Sequence, residues 1–354
     1  MALVQINIQN LRNIRQEDIV FSPGLNLIIG PNASGKTSLL EAISLVCQGR
    51  SFRTPRIDQL VRHEEKNLLV VARLSVDNEN HIVGVSREGK KTQVKIDGER
   101  IGKTTELVGR VAVFILTPES HELLDSGPKM RRQYLDWGVF HVEHRYLEVW
   151  KKYHRSLRQR NSCLRRQRAR QEILAWDGPM AEQAEQLHYY RKKYLAELAP
   201  MLSRYGEQLI DVAPVFDYQA GWDESLSSLR AQLGENLDKD IERGFSRLGP
   251  HRADIKIKVD GKPVQAVFSR GQQKLLICAM TLAQLKRLEQ DCILLVDDLP
   301  AELDPYRRVC LVRAMQETGA QVVVTATEPN LIDASSWGGS KMFHVEHGSF
   351  QEVV

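Results

Sequence analysis

The chain has 354 residues, room for two domains or for one large one with an insertion, and a hydrophobic fraction of 42% that supports a substantial core. No apolar run approaches the roughly 18 residues of a membrane span, and the opening residues lack the basic-then-apolar pattern of a secretory leader. The five cysteines (Cys47, Cys163, Cys278, Cys292, Cys310) form no C-x-x-C pair, which argues against a disulfide framework and a zinc site and suits a reducing cytoplasm; a net charge of +4 assigns no partner.

The first hundred or so residues are β-rich. Leu3-Val4-Gln5-Ile6-Asn7-Ile8 alternates, and the apolar run Leu25-Asn26-Leu27-Ile28-Ile29 predicts a buried strand. Gly30-Pro31-Asn32-Ala33-Ser34-Gly35-Lys36-Thr37 follows and spells G-x-x-x-x-G-K-T, the phosphate-binding P-loop; Ser38 to Leu45 then carries apolar residues at helical spacing. Strand, glycine loop and helix is the order the chemistry requires. Backbone N–H groups curl around phosphates, the helix N-terminus adds partial positive charge, and Lys36 reaches the outer phosphates. The Thr37 hydroxyl is placed to hold Mg²⁺. The motif implies a bound nucleoside triphosphate, ATP in the reading adopted below.

Leu68 to Val76 and His81 to Ser86 predict strands on either side of the polar Asp77-Asn78-Glu79-Asn80, and Thr92 to Ile96 ends in the hairpin signal Asp97-Gly98. Val111 to Leu116 predicts another buried strand, closed by Pro118. The P-loop is therefore expected inside a mixed sheet.

From about Pro128 to Leu209 the texture turns helical, with Trp150, Tyr153, Leu157 and Leu164 roughly on one face. Asp177-Gly178-Pro179 is expected to break the run before a second stretch from Met180 to about Tyr205. The pair predicts antiparallel arms of at most ~60 Å each. Between Lys151 and Arg170 lie nine Lys or Arg residues and no acid, and Lys151, Arg155, Arg158 and Arg165 share one helical face. Such a stripe neutralises nucleic-acid phosphates; a solvated face that keeps the lobe soluble fits the same residues.

Ile255 to Val259 predicts a strand closed by Asp260-Gly261, then come a helix from Gln272 to Glu289, the strand Ile293 to Val296, a helix from Pro305 to Glu317 and the strand Gln321 to Thr325. This alternation is the parallel part of an α/β sheet. The expected organisation is a discontinuous ATPase domain, 1–120 with 250–354, and an inserted helical lobe over 121–249. Asp297 and Asp298 emerge at the C-terminal end of their strand, where open α/β sheets bind ligands. Asp297 would hold the Mg²⁺ shell, and Asp298 would orient or deprotonate an attacking water.

Ala301-Glu302-Leu303-Asp304 places Leu303 and Asp304 at the spacing of the D-loop of ABC-type ATPases. Phe268-Ser269-Arg270-Gly271-Gln272-Gln273 is similar to their L-S-G-G-Q signature, with Arg270 where the first glycine would stand. Preceding a helix, Ser269 and the Gly271 N–H are placed to meet a γ-phosphate, which in ABC-type folds belongs to the partner subunit. The expected fold class is thus an α/β P-loop head of ABC/SMC-like type with a mixed sheet and a helical lobe.

Several stretches resemble the RecF family of bacterial recombination and replication-repair ATPases, relatives of SMC-type heads. They are Leu11-Arg12-Asn13, the P-loop itself, Gly49-Arg50-Ser51-Phe52-Arg53-Thr54, and Lys129 to Asp136. Further on they include Gly249-Pro250-His251-Arg252-Ala253-Asp254, Phe268 to Gln272, Asp297-Asp298 with Glu302-Leu303-Asp304, and Phe343-His344-Val345. The resemblance implies an ATP-dependent homodimer closed around two ATP molecules, with slow hydrolysis acting as a switch. It further implies binding to double-stranded DNA at gap junctions, cooperation with RecR and RecO in loading RecA, and a cytoplasmic, nucleoid-associated location with no membrane partner.

Two departures from ABC-type ATPases stand out. Asp298 occupies the place of the usual Glu, one methylene shorter, which implies slow hydrolysis and is shared by RecF proteins generally. Thr325-Ala326-Thr327 stands where the switch histidine would be, leaving that γ-phosphate contact unassigned. Arg50 and Arg53 form a second candidate DNA contact, in a loop that would equally cap the nucleotide. The alternative function is the nucleotide-binding subunit of an ABC transporter, which shares both motifs without requiring the basic helical pair. A full SMC protein would insert several hundred coiled-coil residues between P-loop and acidic strand, where Thr37 and Asp297 of this chain are 260 positions apart.

Overall fold

The computed structural model describes residues 2–76, 79–102, 107, 112–288, 292–298, 303–334 and 337–353. The chain folds into two compact units, one formed by residues 1–120 with 274–354 and the other by 121–273. In chain order the strands and the P-loop helix are β1 (Ala2–Leu11), β2 (Ile14–Val20), β3 (Leu25–Ile29), α1 (Lys36–Gln48), β4 (Asn67–Val76), β5 (Glu79–Glu88), β6 (Lys91–Ile96), β7 (Glu99–Arg100) and β8 (Val113–Leu116). Then come β9 (Val215–Gln219), β10 (Asp254–Val259), β11 (Lys262–Pro263), β12 (Ile293–Val296), β13 (Gln321–Ala326), β14 (Ser340–Glu346) and β15 (Ser349–Val353). Asp77, Asn78, Val111, Glu289, Ala301 and Glu302, on which some expectations fell, lie outside the described residues.

The first unit holds two sheets. One is antiparallel throughout, in the order β2-β1-β4-β5-β6-β7. The other runs β15-β14-β3-β13-β12-β8, parallel except for the edge strand β15. The P-loop strand thus sits in a mixed sheet, but not beside its sequence neighbours β2 and β4. Burial separates the two sets. β1 and β5 alternate between buried and more exposed residues, as a half-solvated antiparallel sheet requires, whereas β3, β12 and β13 are buried along their whole length. α1 lies in the core between the sheets: Leu39, Leu40, Ile43 and Val46 share one apolar cluster with Ile6 and Val70 of the antiparallel sheet and Ile293 and Val323 of the parallel one. The Asp97-Gly98 hairpin forms as expected, both residues at positive φ (52° and 86°) and Ile96 facing Glu99.

In the second unit the main helices span Pro128–Val142, Tyr146–Arg165 and Asp177–Ile210. The expected break at Asp177-Gly178-Pro179 lies elsewhere: these residues form the first turn of the 34-residue helix, where a proline loses no intrahelical hydrogen bond. The interruption falls at 166–169, before a short helix at Arg170–Leu174. At 1.5 Å per residue the long helix measures about 51 Å.

The expected boundary between 249 and 250 moves to Gln273. β10 pairs antiparallel with β9, with Asp254 facing Gln219 and Ile257 facing Phe216. Arg131 also grips Asp254 through Nε and Nη2 at 2.8 and 3.1 Å. Both ties bind 250–273 to the helical unit. Among the described residues no helix is long and apolar enough to cross a membrane.

Candidate nucleotide site

The P-loop connects β3 to α1, and its backbone is held from three sides. Gly30 donates its N–H to the Ala326 carbonyl at 3.3 Å, and a Cβ there would lie 2.3 Å from the Val345 carbonyl oxygen, so only glycine fits. The Ser34 carbonyl accepts from the Gly348 N–H at 2.7 Å and from Asn13 Nδ2 at 2.9 Å, while Ser38 donates its hydroxyl to Asn13 Oδ1 at 2.9 Å. Pro31, Asn32 and Ala33 are exposed at the loop tip, with Ala33 at φ 64°, and Gly35 turns into the helix at φ 121°. Among the described residues the buried Ser34 Oγ has no hydrogen-bond partner. Lys36 is 3% exposed, and its Nζ donates to the Gly30 and Pro31 carbonyls at 2.9 and 3.2 Å.

The acids at the end of β12 meet this loop. Thr37 donates its hydroxyl to the Asp297 carboxylate, 3.0 Å from each oxygen, and Lys36 Nζ stands 3.7 Å from Asp298 Oδ1. Burial pushes the Asp297 carboxyl above its ordinary value, while hydrogen bonds from Thr325 and Thr37 pull it back. Asp298 takes a left-handed backbone conformation at φ 45° and lines a pocket of about 800 Å³ together with Lys36, Thr37, Arg12, Arg53 and His63. An orphaned hydroxyl, a cationic amine, a second hydroxyl and a buried carboxylate form a donor set that suits a triphosphate and a hard divalent cation.

Arg53 therefore lines this pocket. Arg50 is exposed, and its carbonyl accepts the Ser44 hydroxyl at 2.9 Å. Leu303 is buried, and Asp304 caps the helix Pro305–Thr318 by accepting the Arg307 N–H at 3.0 Å. In the second unit, Ser269 precedes the helix Arg270–Arg287 in a reciprocal cap. Its N–H donates to Gln272 Oε1 at 2.9 Å, and its hydroxyl accepts the Gln272 N–H at 3.3 Å. Ser269, Arg270 and Gly271 are exposed, and Arg270 pairs with Asp125 at 2.5 Å.

The basic stripe divides on inspection. Lys151, Arg155, Arg158 and Arg165 are all exposed. Lys152 instead pairs with Glu148 at 2.6 Å, and Arg170 pairs with Asp238. Arg160 is wholly buried between Asp177 and Asp240, so it belongs to the core and not to any binding face.

Sequence reasoning missed the pocket wall supplied by Arg62, His63 and Glu64, and the P-loop clamp of Asn13. Asn13 lay within a stretch singled out by resemblance alone. Thr325 was noted for what it replaces, yet its hydroxyl lies 2.8 Å from Asp297 Oδ1.

A P-loop clamped between an antiparallel and a parallel sheet, with an acidic strand end against its Lys and Thr, defines a P-loop ATPase head of the ABC/SMC type. A solved Smc head bound to the C-winged helix domain of ScpA has the same fold, with a TM-score of 0.63 at 15% identity over 100% of this chain and 97% of that one. Residues 2–350 match the RecF/RecN/SMC N terminal domain family. The chain is 38% identical to the DNA replication and repair protein RecF of Hydrogenovibrio crunogenus over 99% of each, and 41% identical to that of Shewanella denitrificans over 98% of each. Among solved structures, the recombination mediator protein RecF-ATP in the RecFOR pathway superposes with a TM-score of 0.86 at 26% identity, covering 100% of this chain and 98% of that one. The chain belongs to the RecF family.

Proposed function

We propose that this chain is an ATP-gated DNA-binding protein of replication and repair, in which slow hydrolysis serves as a switch. The observation that carries the reading is the convergence of Lys36, Thr37, Asp297 and Asp298 on one pocket of the first unit. The P-loop backbone and Lys36 hold the triphosphate. Thr37 and Asp297 are the oxygen donors that would hold Mg²⁺, which when bound neutralises charge on the outer phosphates. Asp298 faces the pocket beside Lys36 and orients the attacking water. The exposed, capped N-terminus of the Arg270–Arg287 helix offers Ser269 and the Gly271 N–H to the phosphate of a second copy. ATP thereby favours the homodimer, and hydrolysis removes contacts made to both subunits.

The DNA-facing surface in this reading is the exposed set Lys151, Arg155, Arg158 and Arg165, with Arg50 as a second contact. Arg53, which lines the nucleotide pocket, is assigned to the nucleotide instead. Resemblance supports duplex DNA at gap junctions, RecR and RecO as partners in RecA loading, and a cytoplasmic location. The test is fluorescence anisotropy of a labelled duplex titrated with the protein without nucleotide, with ADP and with ATP–Mg²⁺. Binding that tightens strongly only with ATP is expected; binding indifferent to nucleotide overturns the gated reading.

A further inference from the structure

Thr325 stands on β13 with no exposed surface, and among the described residues its hydroxyl has three oxygen or nitrogen neighbours. The Asp298 backbone N–H lies 2.8 Å away, Asp297 Oδ1 2.8 Å, and Asp298 Oδ1 3.5 Å. A hydroxyl has one proton to give. The N–H can only donate, so Thr325 accepts from Asp298; the buried Asp297 carboxylate takes the proton. Nothing remains for the 3.5 Å approach to Asp298 Oδ1, where two acceptors face each other.

The bond to the Asp298 N–H matters because of what it holds. Asp298 sits at φ 45°, the left-handed region that residues with a side chain adopt only when held there. In that conformation its carboxylate lies 3.7 Å from Lys36 Nζ and lines the pocket. Relaxation to an ordinary strand or helical backbone would swing the side chain away. One hydroxyl therefore orients the carboxylate assigned to the cation and fixes the backbone of the acid assigned to water.

We propose that Thr325 is a positioning residue for ATP hydrolysis, acting through Asp298. The proposal rests on the ATPase reading above. The test compares Thr325→Val and Thr325→Ser in full-length protein, measuring kcat for ATP, affinity for a fluorescent ATP analogue, and melting temperature. Val keeps the branched shape and loses the hydroxyl, so kcat should fall by at least about tenfold, because a 1 Å misplacement can cost on the order of a hundredfold. Nucleotide affinity should stay within about threefold, as expected for a group acting on the chemical step. Ser keeps the hydroxyl and loses a buried methyl, so it should melt earlier yet turn over near the wild-type rate.

A packing role would reverse that order, and turnover near wild type in Val with a loss in Ser overturns the proposal. Should Val fail to fold, the Ser variant still decides, since loss of its turnover is fatal to a hydroxyl-based role. In an Asp298→Asn background the Val penalty should shrink to what passes through Asp297; a penalty that persists in full shows that Thr325 does not act through Asp298. Wild-type protein that hydrolyses no ATP at all would instead remove the ATPase reading itself.

Discussion

Arg160 and Arg158 are two positions apart in one basic run, and the structure gives them opposite fates. Arg160 donates from Nε to Asp177 Oδ1 at 2.6 Å and from Nη1 to Asp240 Oδ2 at 2.7 Å and Ser246 Oγ at 2.8 Å. These bonds tie the helix Tyr146–Arg165 to the first turn of Asp177–Ile210, to the helix Leu237–Arg243 and to the loop at Ser246. Replacing Arg160 by Met takes the paired cation from buried Asp177 and leaves Asp240 with the longer contact to Arg247 at 3.7 Å, a loss of about 3–5 kcal/mol. For a unit of this size each kcal/mol moves the melting temperature by roughly 2–4 °C, so a fall of roughly 6–20 °C is expected. Arg158 is exposed. Arg158→Ala should leave the melting temperature unchanged while lowering the log–log salt slope of ATP-dependent DNA binding by about 0.9, the effect of one lost phosphate contact. Calorimetry and salt-titrated anisotropy on both variants read the two effects apart. An Arg160→Met protein that melts with the wild type refutes the buried-network argument, and an unchanged slope in Arg158→Ala removes that residue from the DNA face.

Lys36→Ala removes the amine that bridges the Gly30 and Pro31 carbonyls and reaches for phosphate; ATP affinity should drop at least about tenfold, the worth of one charge-assisted hydrogen bond. ATP-dependent dimers should vanish with it, and normal dimers by light scattering would sink the idea. Asp298→Asn should bind ATP and stay dimeric while turning over far more slowly; unchanged phosphate release would show that Asp298 does not position the water. Burial pushes His141, His154 and His251 down to about 4, all within the helical unit. Their folded values lie below the unfolded one, so the unfolded chain binds more protons in between. Stability should therefore be whole above pH ~6.5 and fall toward pH ~4, with a limiting slope of about 1.4 kcal/mol per pH unit for each buried histidine. Melting curves across that window check it, and a flat profile would contradict the burial argument.

Much of the site was legible because its chemistry is contiguous. Residues 25–37 carry strand, loop, lysine and threonine without a gap, and four apolar residues deliver Asp297 and Asp298 to a strand end. Strand limits at β3 and β12 match the runs read from the sequence residue for residue, since parallel strands buried on both faces are almost wholly apolar; the one polar residue, Asn26, is satisfied by the Ser22 backbone. The helical lobe was read less well. Asp177-Gly178-Pro179 resembles a chain break, yet proline and glycine are equally at home in a first helical turn. The lobe boundary at Gln273 rests on β10 pairing with β9, residues some forty apart whose register no local pattern announces.

The sequence by itself determined the phosphate loop, the acidic strand end, the signature-like turn and the family to which they point, because each is a short run whose spacing is its chemistry. Tertiary structure alone decided which cations are available and which are structural. Arg160 is sealed by Asp177, Asp240 and Ser246, up to 86 residues away, while Arg158 faces water. It likewise brought Thr325 to Asp297 and Asn13 to the P-loop, by setting β13 beside β12 and the β1–β2 turn against the loop. A hydrogen bond needs its partners within about 3 Å, and only the folded chain brings distant residues that close.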